Sequence, residues 1–376
     1  MAADRGSRHA SGGISLSRPR RERIRIVFYV ESTGRGGAEI ALRHLLATLD
    51  SAYETIVMGV DASVCRWIAA SRPGVVVVLV PAVRGKFSLG AFVRLRRAIA
   101  RLRPDIFHAN LRTMADCQYG IAAALSVPGV HVVVVEQLPF PLDSALARRL
   151  KRLTSHRLAG HVAVGEQAAR IVEREVGLSR GSIGTIYNGV PDPGPLPAPA
   201  PGDAVLVGTL ARLDRIKGLD LLLAAAAPLD GVALRLVGEG PEQPALEALA
   251  RELRIEHRTE FVPWADDARG QLEAMDIFVL PSRNEGFPLS IVEAMLASRP
   301  VVATDVGSVS ESVGPENGTL VPPEDVEALR AALGRLAADR DLRLRLGDSG
   351  RTKAVERFTA AAMASAFERL YGEILS

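Results

Sequence analysis

One stretch limits the folds open to this chain more than any other: residues 276–305, DIFVLPSRNEGFPLSIVEAMLASRPVVATD. The apolar run Ile277–Leu280 predicts a buried strand that stops at Pro281-Ser282. After a short polar loop, Pro288 opens an apolar-periodic helix, at the first-turn position that proline favours. A second apolar run, Val301–Thr304, completes a β-loop-α-β unit, the building block of parallel sheets. Open parallel sheets bind ligands outside the carboxyl ends of their strands. Two carboxylates stand there: Glu285 in the loop and Glu293 in the helix, with seven residues between them. The free N–H groups of the helix start lie between the two and suit a phosphate. A carboxylate accepts paired hydrogen bonds from sugar hydroxyls. One carboxylate for each of two sugars, with phosphates between, has the shape of a nucleotide-sugar. Taken as an isolated pair, the same glutamates are a solvated helix residue and an ordinary loop residue.

The alternation continues along the chain. Ile24–Val30 (IRIVFYV) predicts a buried first strand, and strand-like runs recur at 55–60, 75–80, 105–109 and 130–135 between helical stretches. Strands that alternate with helices mean a doubly wound α/β sheet. At 376 residues the chain is too long for one typical core. The Pro-rich segment 191–202, PDPGPLPAPAPG, reads as a semi-rigid linker between two domains. Residues 1–22, rich in Arg, Ser and Gly and without an apolar segment, are expected to be a disordered basic tail.

Several strand ends carry polar groups. Gly34, Gly36 and Gly37 let a backbone approach a ligand closely at a helix start. Glu39 stands where the dinucleotide fingerprint needs its third glycine, so the loop is not that motif. His108 in DIFHAN and Gln137 in VVVVEQLPF are expected at strand ends that face a cleft; a lone His is as readily structural. Gln137 can hydrogen-bond a hydroxyl but cannot carry a proton. Asn188-Gly189 marks a turn at the exit of the first domain. In the second half, a strand ending at Gly208 leads to Arg212 and Lys217. Two such cations neutralise a diphosphate, one as a fork and one as a point charge, although singly each is an ordinary surface charge.

Composition removes other classes. Cys65 and Cys117 are the only cysteines, without paired or metal-ligand spacing, which suits a reducing cytoplasm. No apolar run approaches the length that spans a bilayer. Asp339-Arg340-Asp341 spells a D-x-D triplet but falls between helices, far from the other polar elements. Asn317-Gly318-Thr319 spells a glycosylation sequon and, with no secretory signal, reads as a turn. No metal and no cofactor is expected. Basic residues cluster at 18–25, 94–103 and 148–157, although the net charge is only +3. Few aromatics accompany them, which argues against nucleic acid. They form either solvated helix faces or a surface for anionic phospholipid. In LGAFVRLRRAIARLRPD the apolar Phe92, Leu95, Ile99 and Leu102 make one stripe and leave five arginines outside it.

PSRNEGFPLSIVEAM, PVVATDVGSVSE and NGTLVPPED, together with GGAE, DIFHAN and GTLARLDRIKG, resemble the donor-binding pattern of family-4 retaining glycosyltransferases with the GT-B fold. The resemblance covers nearly everything after residue 23 and is strongest from Gly208 to Asp325. It implies two Rossmann-like domains facing each other across a cleft, an acceptor-side domain at 23–190 and a nucleotide-sugar domain at 203–355. A terminal helix, 356–376, is then expected to cross back to the first domain. The resemblance implies Glu285, Arg212, Lys217 and His108 as catalytic residues. It implies donor binding by Gly36, Gly37, Gln137, Asn188, Gly208, Arg212, Lys217, Glu285, Gly286, Phe287, Pro288, Leu289 and Glu293. Gln137 departs from the pattern, since many relatives place there a His that contacts the donor sugar. The implied activity moves a sugar from a UDP- or GDP-sugar to a carbohydrate or lipid-linked acceptor, with retention and without metal. It would take place in the cytoplasm or at an anionic inner membrane face. Two alternatives compete. A UDP-sugar epimerase of the same fold needs dedicated acids and bases that the chain does not display. A non-catalytic nucleotide-sugar-binding subunit is disfavoured by intact Arg212, Lys217, Glu285 and Glu293.

Overall fold

The computed structural model describes residues 23–83, 88–200, 202–264 and 268–376; the expected basic tail, 1–22, lies outside them. The first domain holds β1 (Ile24–Val30), β2 (Tyr53–Gly59), β3 (Val76–Leu79), β4 (Ile106–Thr113), β5 (His131–Leu138), β6 (Gly160–Ala163) and β7 (Gly184–Thr185). They form one sheet in the order β3-β2-β1-β4-β5-β6-β7. The second domain holds β8 (Val205–Leu210), β9 (Val232–Val237), β10 (Thr259–Val262), β11 (Ile277–Leu280), β12 (Val301–Thr304) and β13 (Gly318–Val321), ordered β10-β9-β8-β11-β12-β13. The pairings in both sheets are parallel. Central strands are buried on both faces, which explains why they read as continuous apolar runs.

In the first domain, α1 (Gly37–Thr48) and α2 (Ala62–Ala69) connect strands that step one way from β1. The helices α3 (Leu89–Leu102), α4 (Gln118–Leu125), α5 (Ala145–Ser155) and α6 (Glu166–Val176) connect strands that step the other way. Right-handed crossovers therefore put α1 and α2 on one face and α3 to α6 on the other. The neighbours agree: α1 packs on α2, α3 on α4, and α5 on α4 and α6. In the second domain α7 (Leu219–Ala226), α8 (Gln243–Glu252), α9 (Ala268–Glu273), α10 (Leu289–Leu296), α11 (Val309–Ser312), α12 (Val326–Ala338) and α13 (Arg340–Arg357) surround the sheet. The last helix, α14 (Ala360–Leu375), leaves that domain and packs on α1. Among the described residues no helix is long and apolar enough to cross a membrane.

Two crossings join the domains, and they pair with each other. Val190 N–H donates to the Phe358 carbonyl (3.0 Å), and Ala360 N–H donates to that of Val190 (2.8 Å). Phe287 packs between the rings of Tyr187 and Phe358 at this crossing, so one apolar cluster runs from the first sheet through the hinge to α10. The Pro-rich linker follows without regular structure. Prolines offer carbonyls but no N–H, and arginines of the second domain take those carbonyls: Arg269 binds Gly194 and Pro195, Arg299 binds Pro197, and Arg340 binds Pro199. Arg351 adds an ion pair to Asp192 (3.0 Å). The linker thus belongs mechanically to the second domain.

Candidate active site

The loop between β11 and α10 is wedged between two others. Gly218, with φ +63°, lies where any Cβ would collide with the Pro281 carbonyl, so the segment carrying Lys217 comes hard against the end of β11. There the Lys217 ammonium meets Glu285 Oε1 at 2.6 Å, and Ser282 Oγ donates to the same oxygen at 2.7 Å. Glu285 is buried. The Arg212 guanidinium binds Asp214 on its own loop at 2.7 Å while its side chain stays 72% exposed. Pro288 occupies the cap position of α10, not the first turn: its ψ of 121° is extended, and the helix begins at Leu289. No side chain caps this helix start, so its N–H groups are available.

Glu293 lies one turn into α10 and lines a pocket of about 170 Å³ with Leu296, Ala268, Leu272 and the hinge residues Val190 and Pro191. Its carboxyl has no hydrogen-bond partner among the described residues, and burial pushes it up to about 7. The α10 start therefore separates a carboxylate already paired with a lysine from one that waits unpaired beside a pocket.

The first domain meets this loop through β5. A Cβ on Gly286 would collide with the Gln137 carbonyl oxygen, so only glycine allows the close approach. The Gln137 side chain is committed elsewhere. Its Nε2 donates to Asn110 Oδ1 (2.9 Å), and its Oε1 accepts from Asn188 Nδ2 (2.8 Å). Asn110 in turn donates to the Ala38 carbonyl at the start of α1 (3.0 Å). All three amides are buried, in one chain from α1 to the domain exit. Gly36 caps α1, its N–H held by Glu39 (2.9 Å), and Gly37 faces open space.

Other expected site residues sit in packing positions. His108 does not stand at a strand end: β4 runs on to Thr113. Its ring is packed against Phe28 and Phe367, and its Nδ1 lies 2.7 Å from Tyr371 Oη of α14. Burial pushes its pKa down to about 3, which keeps it neutral. It serves the docking of α14 and is withdrawn from the catalytic set. Gly208 lies within β8, where Met275 leaves no room for a Cβ, and Phe287 and Leu289 are buried. Asp339 caps α13 by accepting from the Leu342 N–H (2.8 Å). Asn317 is buried, bound to Ser312 and Gly314, and β13 starts beside it.

A profile described as Glycosyltransferase Family 4 matches residues 35–192, and one described as Glycosyl transferases group 1 matches residues 203–339. This chain belongs to the family-4, group 1 glycosyltransferases. It is 36% identical over 177 residues to the lipopolysaccharide core biosynthesis glycosyltransferase LpsE of Rhizobium meliloti, covering 45% of this chain and 50% of that protein. It is 35% identical over 192 residues to the D-inositol 3-phosphate glycosyltransferase of Saccharomonospora viridis, covering 47% and 44%. The chain spans about half the length of the curated relatives it matches. Anabaena HepE, crystallised with UDP, superposes with a TM-score of 0.81 at 21% identity, over 93% of this chain and 100% of that one. At that identity the likeness bears on fold, and the fold is GT-B.

Within this family-4 glycosyltransferase, two sets of contacts near the cleft escaped sequence reasoning. Glu136, the neighbour of Gln137, is buried with Lys151 (2.6 Å) and His161 (3.0 Å). Burial alone would raise its carboxyl; Lys151 and His161 overrule that and hold it at about 2. Glu311 of the second domain accepts the N–H groups of Glu166 and Gln167, both at 2.8 Å, and so caps α6 of the first. The partners are 145 and 144 residues apart in sequence, too far for any local pattern to join them.

Proposed function

We propose that this glycosyltransferase moves a sugar from a nucleotide-sugar to a carbohydrate acceptor, free or lipid-linked, with retention at the anomeric carbon and without a metal ion. The observation that carries the reading is the head of α10. Lys217 and Glu285 meet at 2.6 Å beside an uncapped helix start, and Glu293 opens onto a pocket one turn beyond it. Breaking the donor bond leaves negative charge on the diphosphate. The α10 N–H groups, Lys217 and the exposed Arg212 are sources of positive charge for it, and stabilising charge that develops in the transition state is electrostatic catalysis. Lys217 exchanges Glu285 for a phosphate oxygen as the donor enters, which frees Glu285 for the transferred sugar. Glu293 accepts the two ribose hydroxyls. The leaving phosphate takes the acceptor's proton on the same face, so no side chain acts as nucleophile. Metal independence is supported by this set of cations, which already supplies positive charge to the diphosphate.

UDP in the Anabaena structure supports trying uridine donors before guanosine ones. A relative named for lipopolysaccharide core biosynthesis supports a lipid-linked glycan as acceptor. Incubation with labelled UDP- and GDP-sugars and a panel of glycan acceptors tests the reading. The expected product is a glycoside of retained configuration, formed equally in EDTA. Epimerised donor, donor binding without turnover, or activity that chelation abolishes and manganese restores would each overturn part of it.

A further inference from the structure

The helix α5 is built inside out. It is capped by Ser144, whose Oγ accepts from the Ala147 N–H, and its buried side chain is a lysine. Lys151 points into the domain, where it binds Glu136 at 2.6 Å and the Met114 carbonyl at 3.0 Å. The leucines point the other way: Leu146, Leu150 and Leu153, spaced by four and three, are 55%, 49% and 58% exposed. Arg149, Arg152 and Arg157 flank them, exposed and without an ion pair among the described residues. No carboxylate occurs from Ser144 to Arg157. On the same face of the sheet, α3 presents Arg94, Arg96, Arg97 and Arg101 to solvent and also lacks a carboxylate, while α4 between them is uncharged.

We propose that α5 is a membrane-docking helix that sinks Leu146, Leu150 and Leu153 into the headgroup boundary of an anionic bilayer while its arginines bind lipid phosphates. An amphipathic helix lies in the interface when its apolar face and its basic flanks point the same way, which is the arrangement here. A second copy is a poorer occupant. A two-fold contact across this stripe would set the arginines of one protomer against those of the other. Nucleic acid would leave the leucines in water. Six residues separate the helix from β5, whose end abuts the Glu285 loop, so docking would hold the mouth of the cleft at the lipid surface. The surface extends the proposed membrane-borne acceptor and is measured without any transfer reaction, so either idea survives failure of the other.

Flotation of the full chain with phosphatidylcholine vesicles of rising phosphatidylglycerol content tests it. Binding should rise with anionic lipid and fall with salt. Changing Leu146, Leu150 and Leu153 together to Ser should cut binding at low salt at least about tenfold, with the thermal midpoint kept because these side chains are exposed. Changing Arg149, Arg152 and Arg157 to Gln should weaken binding and flatten its salt dependence. Three results would overturn the proposal. The wild type could stay unbound on fully anionic vesicles at low salt. The leucine variant could bind as the wild type does. Light scattering could show a wild-type dimer that the leucine variant turns into monomers.

Discussion

Glu293 waits in its pocket with a carboxyl that burial pushes up to about 7. Ribose hydroxyls donate to the ionised form, so donor binding should weaken as pH falls below that value. Donor KM should rise by up to about tenfold per pH unit below 7, and Glu293→Gln should flatten the profile. The stability contribution of this group has the opposite sense. Because its folded pKa is raised, that contribution is full below the ordinary value of 4.5 and is lost as pH rises through about 7. His108 behaves as a core residue held neutral, so its contribution is present above pH 6.5 and is lost on acidification toward about 3. His108→Phe should remove the bond to Tyr371 and cost about 2 kcal/mol in unfolding experiments, while kcat measured on the folded protein stays at the wild-type level. A collapse of kcat in the folded variant would return His108 to the catalytic set.

At the scale of elements, the buried strands were legible because parallel strands carry apolar residues on both faces. β1, β11 and β12 fall where IRIVFYV, IFVL and VVAT predict them. The misreadings came from polar residues inside strands. The runs expected at 105–109 and 130–135 continue to Thr113 and Leu138, through Asn110 in β4 and through Glu136 and Gln137 in β5. Asn110 and Gln137 are satisfied by the amide chain and Glu136 by an ion-pair cluster, both made with residues distant in sequence. The same chain gives the unusual Gln137 a structural reason, since it needs a donor and an acceptor on one side group. Gln137→Leu should strand Asn110 Oδ1 and Asn188 Nδ2 and cost about 2–4 kcal/mol, read as a lower unfolding midpoint. A melting curve like that of the wild type would show that the chain does not hold the elements together.

Across the whole molecule, closure of the two domains rests on few polar contacts, and Glu311 on the α6 start is the most directional. Glu311→Ala removes an acidic cap worth about 1 kcal/mol. It should therefore expand the unliganded protein in small-angle scattering; an unchanged radius would place the closing force elsewhere. The β11-loop-α10-β12 unit and the loop after β8 were legible in sequence because each is one contiguous segment. The Val190–Phe358 pairing, the arginine contacts to the linker carbonyls and the Glu311 contact were not, because each joins distant segments. The central claim is that the head of α10 divides donor binding between two carboxylates, Glu293 for the ribose and Glu285 for the sugar that reacts. Steady-state kinetics of Glu293→Ala and Glu285→Ala with the preferred donor test it most directly. Each lost hydrogen bond to a charged group should cost roughly 1.5–3 kcal/mol, appearing mainly in donor KM for Glu293→Ala and mainly in kcat for Glu285→Ala. Wild-type kcat and KM in both variants would contradict the account.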